Sequence, residues 1–171
     1  MDTIHRQRAV VYVERSPQGV FDIYKLSLEK GASPEPVLRS PIGKYEARVS
    51  FDGRAIAFAA AQEERDTSIY VAPLPVTSAP VLVASGATSS PRWGRDGRVY
   101  YVDANRQLTA VPVQTSPALN VGTPRRLFEV KRPALFFEVA PDGRIVLFVP
   151  QVRAADGPIH VATSAITGGR R

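Results

Sequence analysis

The sequence predicts an all-β fold, and three observations carry this prediction. Short runs of β-branched and aromatic residues recur along the chain and are typical of strands. The 171 residues include 15 prolines and 12 glycines, an excess that favours turns over long helices. Apolar residues do not recur with the period of an amphipathic helix over any useful window. Together these observations favour a turn-rich fold of short strands over a helical bundle.

The composition excludes several classes of protein. Apolar residues make up 44% of the chain and charged residues 22%, as in ordinary globular domains, so a disordered chain is not expected. The longest apolar stretches run to roughly six residues, far short of a membrane span, and the N-terminal residues do not resemble a secretory signal. The chain has no cysteine, which excludes disulfides, thiol catalysis and cysteine-bound zinc.

Three segments align on an Asp-Gly pair that is followed by arginine. They are residues 48–58, 92–102 and 138–148, and their glycines lie 44 and 46 residues apart. Strand-like residues flank each pair. Asp-Gly between apolar runs predicts a two-residue hairpin loop, in which the aspartate tolerates positive φ and the glycine adopts it without a Cβ clash. Each segment is therefore predicted to be a hairpin.

Two further strands are predicted in each of the first three units. Third strands are predicted at residues 22–28, 68–74 and 107–113. Fourth strands are predicted at residues 36–38, 80–83 and 126–130. Four short strands in a unit of about 44 residues are typical of a propeller blade.

The predicted fold is thus a partial β-propeller of slightly under four four-stranded antiparallel blades, in a single domain. Blade 1 is expected to lack its first strand, with residues 1–8 standing in its place. The length of the chain, slightly under four blades, leaves two possibilities open: two chains complete a ring, or the sequence belongs to a longer propeller. The predicted parts are a partial blade 1 (9–40), blade 2 (45–85), blade 3 (89–130), a partial blade 4 (134–163) and a tail (164–171).

One repeat contains a sequence motif that is more specific than the strand pattern alone. Residues 91–98 read Pro-Arg-Trp-x-x-Asp-Gly-Arg, and with Ile-Tyr-Val at 69–71 they resemble the WD40-like (PD40) repeats of TolB-type β-propellers. Residues 96–144 are similar to the C-terminal propeller region of many bacterial serine/threonine protein kinases of eukaryotic type. Phe51 and Arg95 depart from this pattern, because they stand where such repeats have proline before Asp-Gly.

The resemblance implies a sensory or protein-interaction role beside a bacterial signalling kinase. It also implies an extracytoplasmic position, periplasmic or at the cell surface, where the propeller follows a kinase and a membrane span. Without that link a cytoplasmic position is expected. The sequence has no glycine-rich nucleotide loop, no His-Arg-Asp and no Asp-Phe-Gly, so any kinase activity would lie outside this chain.

Catalytic and metal sites are not predicted. There is no Gly-x-Ser-x-Gly elbow, and His5 and His160 do not lie at ligand spacing. The acidic residues at 63–66 are interpreted as a charged loop tip. No cofactor is expected. The chain is therefore interpreted as a non-catalytic binding or scaffolding module for a protein or peptide, and the alternative is the propeller part of a peptidase or hydrolase that gates a catalytic domain outside this chain.

The net charge of +6 admits nucleic acid, anionic lipid or an acidic protein as a partner. The arginines are scattered, however, and adjacent only at 125–126 and 170–171. Nucleic-acid binding is therefore a third alternative, and membrane insertion by this chain is not expected.

Repeat symmetry singles out Arg48, Arg92 and Glu138, which occupy matching positions before the three Asp-Gly pairs. They belong to the first strand of each blade, which borders the central channel of a propeller. The hypothesis is that they line the channel or its mouth and bind an anionic group or acidic peptide. The alternative is that they form salt bridges between blades or that the arginines are ordinary solvated side chains.

Packing between blades is predicted for several other side chains. Phe51, Trp93 and Val139 are expected to point between blades, because they alternate with the candidate channel residues. Tyr24 and Tyr70 occupy matching third-strand positions, and they too are predicted to pack between blades.

Overall fold

The computed structural model describes residues 8–39, 41–61, 67–87, 91–131 and 136–149, and the backbone of two short strands at 2–4 and 162–164. The described part contains strands and no helix, arranged in four antiparallel sheets that follow one another along the chain. Blade 1 contains β1 (Asp2–Ile4), β2 (Ala9–Arg15), β3 (Phe21–Ser27) and β4 (Glu35–Leu38). Blade 2 contains β5 (Gly43–Val49), β6 (Ala55–Ala61), β7 (Ser68–Pro73) and β8 (Val81–Ser85).

Blades 3 and 4 repeat the same order. Blade 3 contains β9 (Arg92–Trp93), β10 (Arg98–Val102), β11 (Gln107–Gln114), β12 (Asn120–Val121) and β13 (Arg125–Glu129), with β12 and β13 both paired to β11. Blade 4 contains β14 (Phe136–Val139), β15 (Ile145–Phe148) and β16 (Ala162–Ser164). The first strands of neighbouring blades contact one another, β1 with β5, β5 with β9 and β9 with β14. The predicted partial β-propeller is confirmed.

The first blade is more complete than the sequence predicts. Residues 2–4 pair with β2 in the register Asp2↔Val11 to Ile4↔Ala9. The prediction that blade 1 lacks its first strand is therefore wrong. The prediction rested on the missing Asp-Gly pair, whereas antiparallel pairing needs only backbone N–H and C=O groups in register. Residues 150–161 of the predicted blade 4, residues 165–171 of the predicted tail and the loop at 63–66 lie outside the described residues, as do His5 and His160.

All three Asp-Gly pairs form the same four-residue turn. The glycine N–H donates to the carbonyl three residues earlier at 2.9–3.2 Å, and the glycine φ lies between +73° and +83°. The aspartate Oδ1 accepts a hydrogen bond from the backbone N–H of the following arginine at 3.0–3.2 Å. No positive φ occurs at the aspartates. The predicted two-residue loop is wrong, because the aspartate caps the turn with its side chain and leaves only the glycine in the left-handed region.

The turn of blade 2 contains one residue more than the other two. Ser50 N–H bonds to the Ala55 carbonyl at 2.8 Å, whereas the equivalent bond of blade 3 joins Gly94 to Arg98. The Ser50 hydroxyl accepts the Ala55 N–H at 2.9 Å and donates to Asp52 at 2.6 Å. The extra residue is thus held by a serine side chain, and the strand after the turn keeps its apolar face toward the preceding blade.

Apolar clusters fill the three interfaces between consecutive blades. The cluster between blades 1 and 2 has Val11, Ile23, Ile56 and Phe58 among its members, and the one between blades 3 and 4 includes Leu108, Phe137 and Ile145. The cluster between blades 2 and 3 includes Trp93, which is 6% exposed. Burial of these faces is the dominant favourable contribution to stability in such a fold.

A buried ion pair also joins blades 1 and 2. Lys44 Nζ lies 3.0 Å from Asp22 Oδ1 and donates to the Ile42 carbonyl at 2.9 Å. Lys44 is 1% exposed and Asp22 5%. Because both charged groups are buried, the stability of the folded state depends on the two being present together.

Candidate functional site

The structure brings Arg48, Arg92 and Glu138 together. They lie on β5, β9 and β14, the first strands of blades 2, 3 and 4. Arg92 Nε donates to Glu138 Oε1 at 2.8 Å across the interface between blades 3 and 4. Arg92 Nη1 donates to Glu46 of blade 2 at 3.4 Å and to the Pro91 carbonyl at 3.0 Å. Arg48 lies 3.6 Å from the same carboxylate of Glu46.

These four residues form a clamp across three blades, and we call them the central clamp: Glu46, Arg48, Arg92 and Glu138. The Arg92 side chain is 7% exposed, whereas both carboxylates are about half exposed. Because two carboxylates already neutralise the buried guanidinium, the cluster matches the salt bridges between blades that the sequence left open as the alternative. The proposed binding of an anion at Arg48 and Arg92 stays a prediction.

Glu46 was missed by the sequence analysis. It has a φ of +46° and lies at an irregularity in the pairing of β5 with β6, between Tyr45 and Arg48. This local distortion turns a residue outside the repeat pattern toward Arg92. Strand alternation alone contains no signal for it.

The side chains predicted to pack between blades divide into two groups. Trp93 is confirmed there, and its Nε1 donates to the Arg48 carbonyl of blade 2 at 3.0 Å. Val139 and Tyr70 are confirmed against the neighbouring clusters. Tyr24 instead stacks on Tyr12 of its own blade at 5.9 Å between ring centroids, and neither ring belongs to an interblade cluster.

Phe51 is the clearest departure from the predicted core. The prediction that it packs between blades is wrong, because β5 ends at Val49 and Phe51 lies in the following turn, 55% exposed. Its ring contacts a residue of the next blade: the Arg95 guanidinium carbon lies 5.4 Å from the ring centroid. The Arg95 side chain makes no hydrogen bond or ion pair with any residue that the structure describes.

A recess opens beneath this pair, between the turns of blades 2 and 3. Its volume is about 170 Å³. We call it the turn-face site, and its lining residues are Ser50, Phe51, Asp52, Trp93, Gly94, Arg95, Gly97, Val113 and Thr115. Trp93 and Val113 are buried, whereas Phe51, Asp52 and Arg95 are exposed. The site therefore combines an apolar base with an exposed aromatic ring and an exposed cation.

Asp52 ties the two sides of the recess together. Its Oδ2 accepts a hydrogen bond from Thr115 of blade 3 at 2.5 Å. Burial raises the pKa of this carboxyl, but hydrogen bonds from Ser50, Thr115 and the Arg54 backbone outweigh burial and lower the pKa below its ordinary value of 3.8. The carboxylate is thus ionised at neutral pH and holds the turn of blade 2 against the segment that follows β11 in blade 3.

Tyr100 holds the turn that contains Arg95 in place. The Tyr100 hydroxyl donates to Asp96 Oδ2 at 2.8 Å, and Arg98 Nη1 donates to the same oxygen at 2.6 Å. Burial, followed by the hydrogen bond and charge of Asp96, raises the pKa of Tyr100 to about 12. These contacts fix the turn on which Arg95 stands.

Alkaline titration tests this hydrogen bond. Because the folded-state pKa of Tyr100 is raised, its contribution to stability is fully present below about pH 10, the unfolded value, and is lost as the pH rises through about 12. Tyr100→Phe is expected to flatten the fall in the free energy of unfolding over this range, measured by urea denaturation. An unchanged slope in Tyr100→Phe would contradict the assignment.

Metal and membrane features are absent from the described residues. No group of three or more acidic or histidine side chains there is placed to hold a metal ion. No helix in the same part of the chain is long and apolar enough to cross a membrane.

Comparison with known proteins shows likeness in structure. No protein-family model matches the chain, and no curated protein matches it. An uncharacterized protein from Listeria monocytogenes matches with a TM-score of 0.51 and 13% identity, over 94% of this chain and 48% of its own. Prolyl oligopeptidase B from Galerina marginata matches with a TM-score of 0.56 and 11% identity, over 85% of this chain and 23% of its own. TolB from Acinetobacter baumannii matches with a TM-score of 0.46 and 16% identity, over 95% of this chain and 51% of its own.

At these identities the likeness concerns the fold alone. The chain spans about half the length of the Listeria protein and under a quarter of the oligopeptidase.

Proposed function

We propose that this chain is a non-catalytic β-propeller binding module that recognises an acidic segment of a partner protein at the turn-face site. The observation that carries the proposal is the Phe51–Arg95 pair. An exposed aromatic ring from one blade and an exposed guanidinium from the next, which forms no ion pair within the described residues, meet over a recess with an apolar base. Exposed aromatic and arginine side chains are the residue types that dominate binding energy at protein interfaces.

The repeat pattern supports this choice. In blade 4 the first central position of the turn is Pro141, the residue that suits the fixed φ of that position. Phe51 and Arg95 occupy the same position in blades 2 and 3. The two departures from the pattern are therefore the two side chains that contact each other, which is consistent with a role beyond forming the turn.

The chemistry of the site indicates the class of ligand. A guanidinium binds a carboxylate through two parallel hydrogen bonds, which favours aspartate or glutamate in the partner. The volume of about 170 Å³ is below the range of small-molecule sites and suits a single side chain. The net charge of +6 attracts an acidic segment at long range. The ligand is accordingly a peptide segment with an apolar side chain beside an acidic one.

The same proposal includes the biological setting. The resemblance of residues 96–144 to kinase-attached propellers supports a sensory or interaction region associated with a bacterial signalling kinase. The alternative is a propeller that gates a peptidase or hydrolase domain, which the likeness to prolyl oligopeptidase B supports at the level of fold. Under either reading the isolated chain gives no kinase or peptidase turnover, and measurable turnover would contradict a non-catalytic module.

Trp93 provides a direct probe of binding. It is the only tryptophan in the chain and forms part of the base of the site. Peptides selected from an array that pairs apolar with acidic residues are expected to change its fluorescence on titration. Arg95→Gln should weaken binding by about tenfold or more, since a hydrogen bond to a charged group contributes about 1.5–3 kcal/mol. Phe51→Ala should weaken it by a similar factor, because it removes the aromatic side chain of the site.

Matched variants distinguish this site from general charge attraction. Arg106→Gln removes an exposed arginine of the same blade that pairs with Glu129 at 3.4 Å, away from the recess. Its affinity should stay within about twofold of wild type, because a surface ion pair contributes little. Equal losses in Arg95→Gln and Arg106→Gln would contradict a local site. Binding of nucleic acid with a steep dependence on salt would favour the third alternative instead.

A further inference from the structure

The four blades form an arc, in which each blade covers an apolar face of the next one. On blade 2, Phe58 pairs with Tyr70 across β6 and β7, with ring centroids 5.8 Å apart. Phe58 is 3% exposed because Val11 and Ile23 of blade 1 belong to the same apolar cluster. An aromatic pair at this register is therefore a surface on which another blade packs.

Blade 1 carries the same feature on its opposite face. Tyr12 pairs with Tyr24 across β2 and β3, at a centroid distance of 5.9 Å and an interplanar angle of 25°. Strand alternation places these two rings on the face opposite Val11 and Ile23, which contact blade 2. Both tyrosines are only half-buried. The face corresponds to the one that blade 1 covers on blade 2. The described residues place the Arg39 guanidinium over the Tyr24 ring, 5.6 Å from its centroid, but no apolar cluster on this face.

At the other end of the chain, one face of blade 4 is left uncovered by the residues that the structure describes. Phe136 pairs with Phe148 across β14 and β15, with ring centroids 4.2 Å apart. Phe136 is 46% exposed. Phe137 and Ile145, which alternate with this pair, belong to the cluster shared with blade 3. The outer face of blade 4 is therefore apolar and aromatic, like the faces that other blades bury.

We infer that a second copy of this chain covers both faces, with blade 4 of each copy packed on blade 1 of the other. The two faces are of opposite kinds, one directed toward a preceding blade and one toward a following blade, so head-to-tail packing repeats the contact already made three times within the chain. The match covers about half of the Listeria protein, so two copies of this chain together have about the length of that protein. Two heterologous contacts related by a twofold rotation close the assembly and leave neither face exposed.

Sedimentation and light scattering of the full chain test this inference. The expected mass is twice the 18.6 kDa of one chain. Tyr24→Lys and Phe136→Lys each place a charge on one face and are expected to give monomers. Phe51→Lys, at an exposed ring away from both faces, is the control and should leave the dimer intact. Circular dichroism and thermal melting establish that each variant folds.

Mixing the two monomeric variants tests the direction of packing. The Tyr24→Lys copy keeps its blade 4 face and the Phe136→Lys copy keeps its blade 1 face, so an equimolar mixture should form a heterodimer through one intact contact. A symmetric contact between like faces would not be rescued in this way. Monomeric wild type at about 100 µM, well above a micromolar dissociation constant, would overturn the inference, as would a dimer that persists in both variants or a mixture that stays monomeric.

Discussion

Replacing Trp93 with alanine is expected to lower the free energy of unfolding by about 3–5 kcal/mol, the range for a buried aromatic ring. The side chain is 6% exposed and belongs to the cluster that joins blades 2 and 3. Its indole N–H also donates to the Arg48 carbonyl of blade 2 at 3.0 Å, so the substitution leaves that carbonyl without its donor. The loss combines a cavity with a broken contact between blades.

Urea denaturation followed by circular dichroism measures this effect, at one protein concentration for all variants because association shifts apparent stability. Phe51→Ala is the matched control. That ring is 55% exposed, so its truncation should cost less than about 1 kcal/mol. A loss below about 1 kcal/mol for Trp93→Ala would contradict the placement of Trp93 between blades.

Removing the carboxylate of the buried pair is the second large effect. Asp22→Ala is expected to cost about 3–5 kcal/mol, because it removes the carboxylate that faces the buried ammonium group of Lys44. The two atoms lie 3.0 Å apart, and the side chains are 2% and 8% exposed. Because the pair joins blades 1 and 2, the loss should appear in the unfolding of both blades.

Double substitution separates the pair from its surroundings. Asp22→Leu with Lys44→Met replaces both charges with apolar side chains of similar size and should recover most of the lost stability. A double-mutant cycle should give a coupling energy above about 1 kcal/mol. Additive effects of the two single substitutions would show that the pair does not act as a unit. Lys25→Met provides the control, since its partner Glu35 is 69% exposed and the ion pair is largely in water.

The repeat pattern predicted the strands well, because alternation and β-propensity act locally. The third and fourth strands of the first three blades lie where the sequence predicts them. The turns were predicted less well. Asp-Gly indicates a reversal of the chain, but the number of residues in the turn depends on which side chain caps it. In blade 2 the Ser50 hydroxyl does so by accepting the Ala55 N–H. One inserted residue there changes the alignment of all positions that follow.

The candidate site was predictable only in part. Repeat symmetry correctly grouped Arg48, Arg92 and Glu138 on neighbouring first strands, because equivalent positions of blades meet around one axis. It gave no signal for Glu46, whose orientation results from an irregularity in β5. Phe51 was assigned to the core because its position was counted as strand. Its departure from the proline of the repeat was the signal that indicated an exposed turn residue.

The central proposal is that a partner binds at the turn-face site between blades 2 and 3 rather than at the central clamp. An NMR titration of isotope-labelled chain with a selected acidic peptide tests it most directly, because every backbone amide is a reporter. The predicted result is shifts concentrated at residues 50–53, 93–97 and 113–115, with Glu46, Arg48, Arg92 and Glu138 unaffected. Shifts concentrated at those four residues, with the turns unchanged, would contradict the proposal and favour the channel site instead.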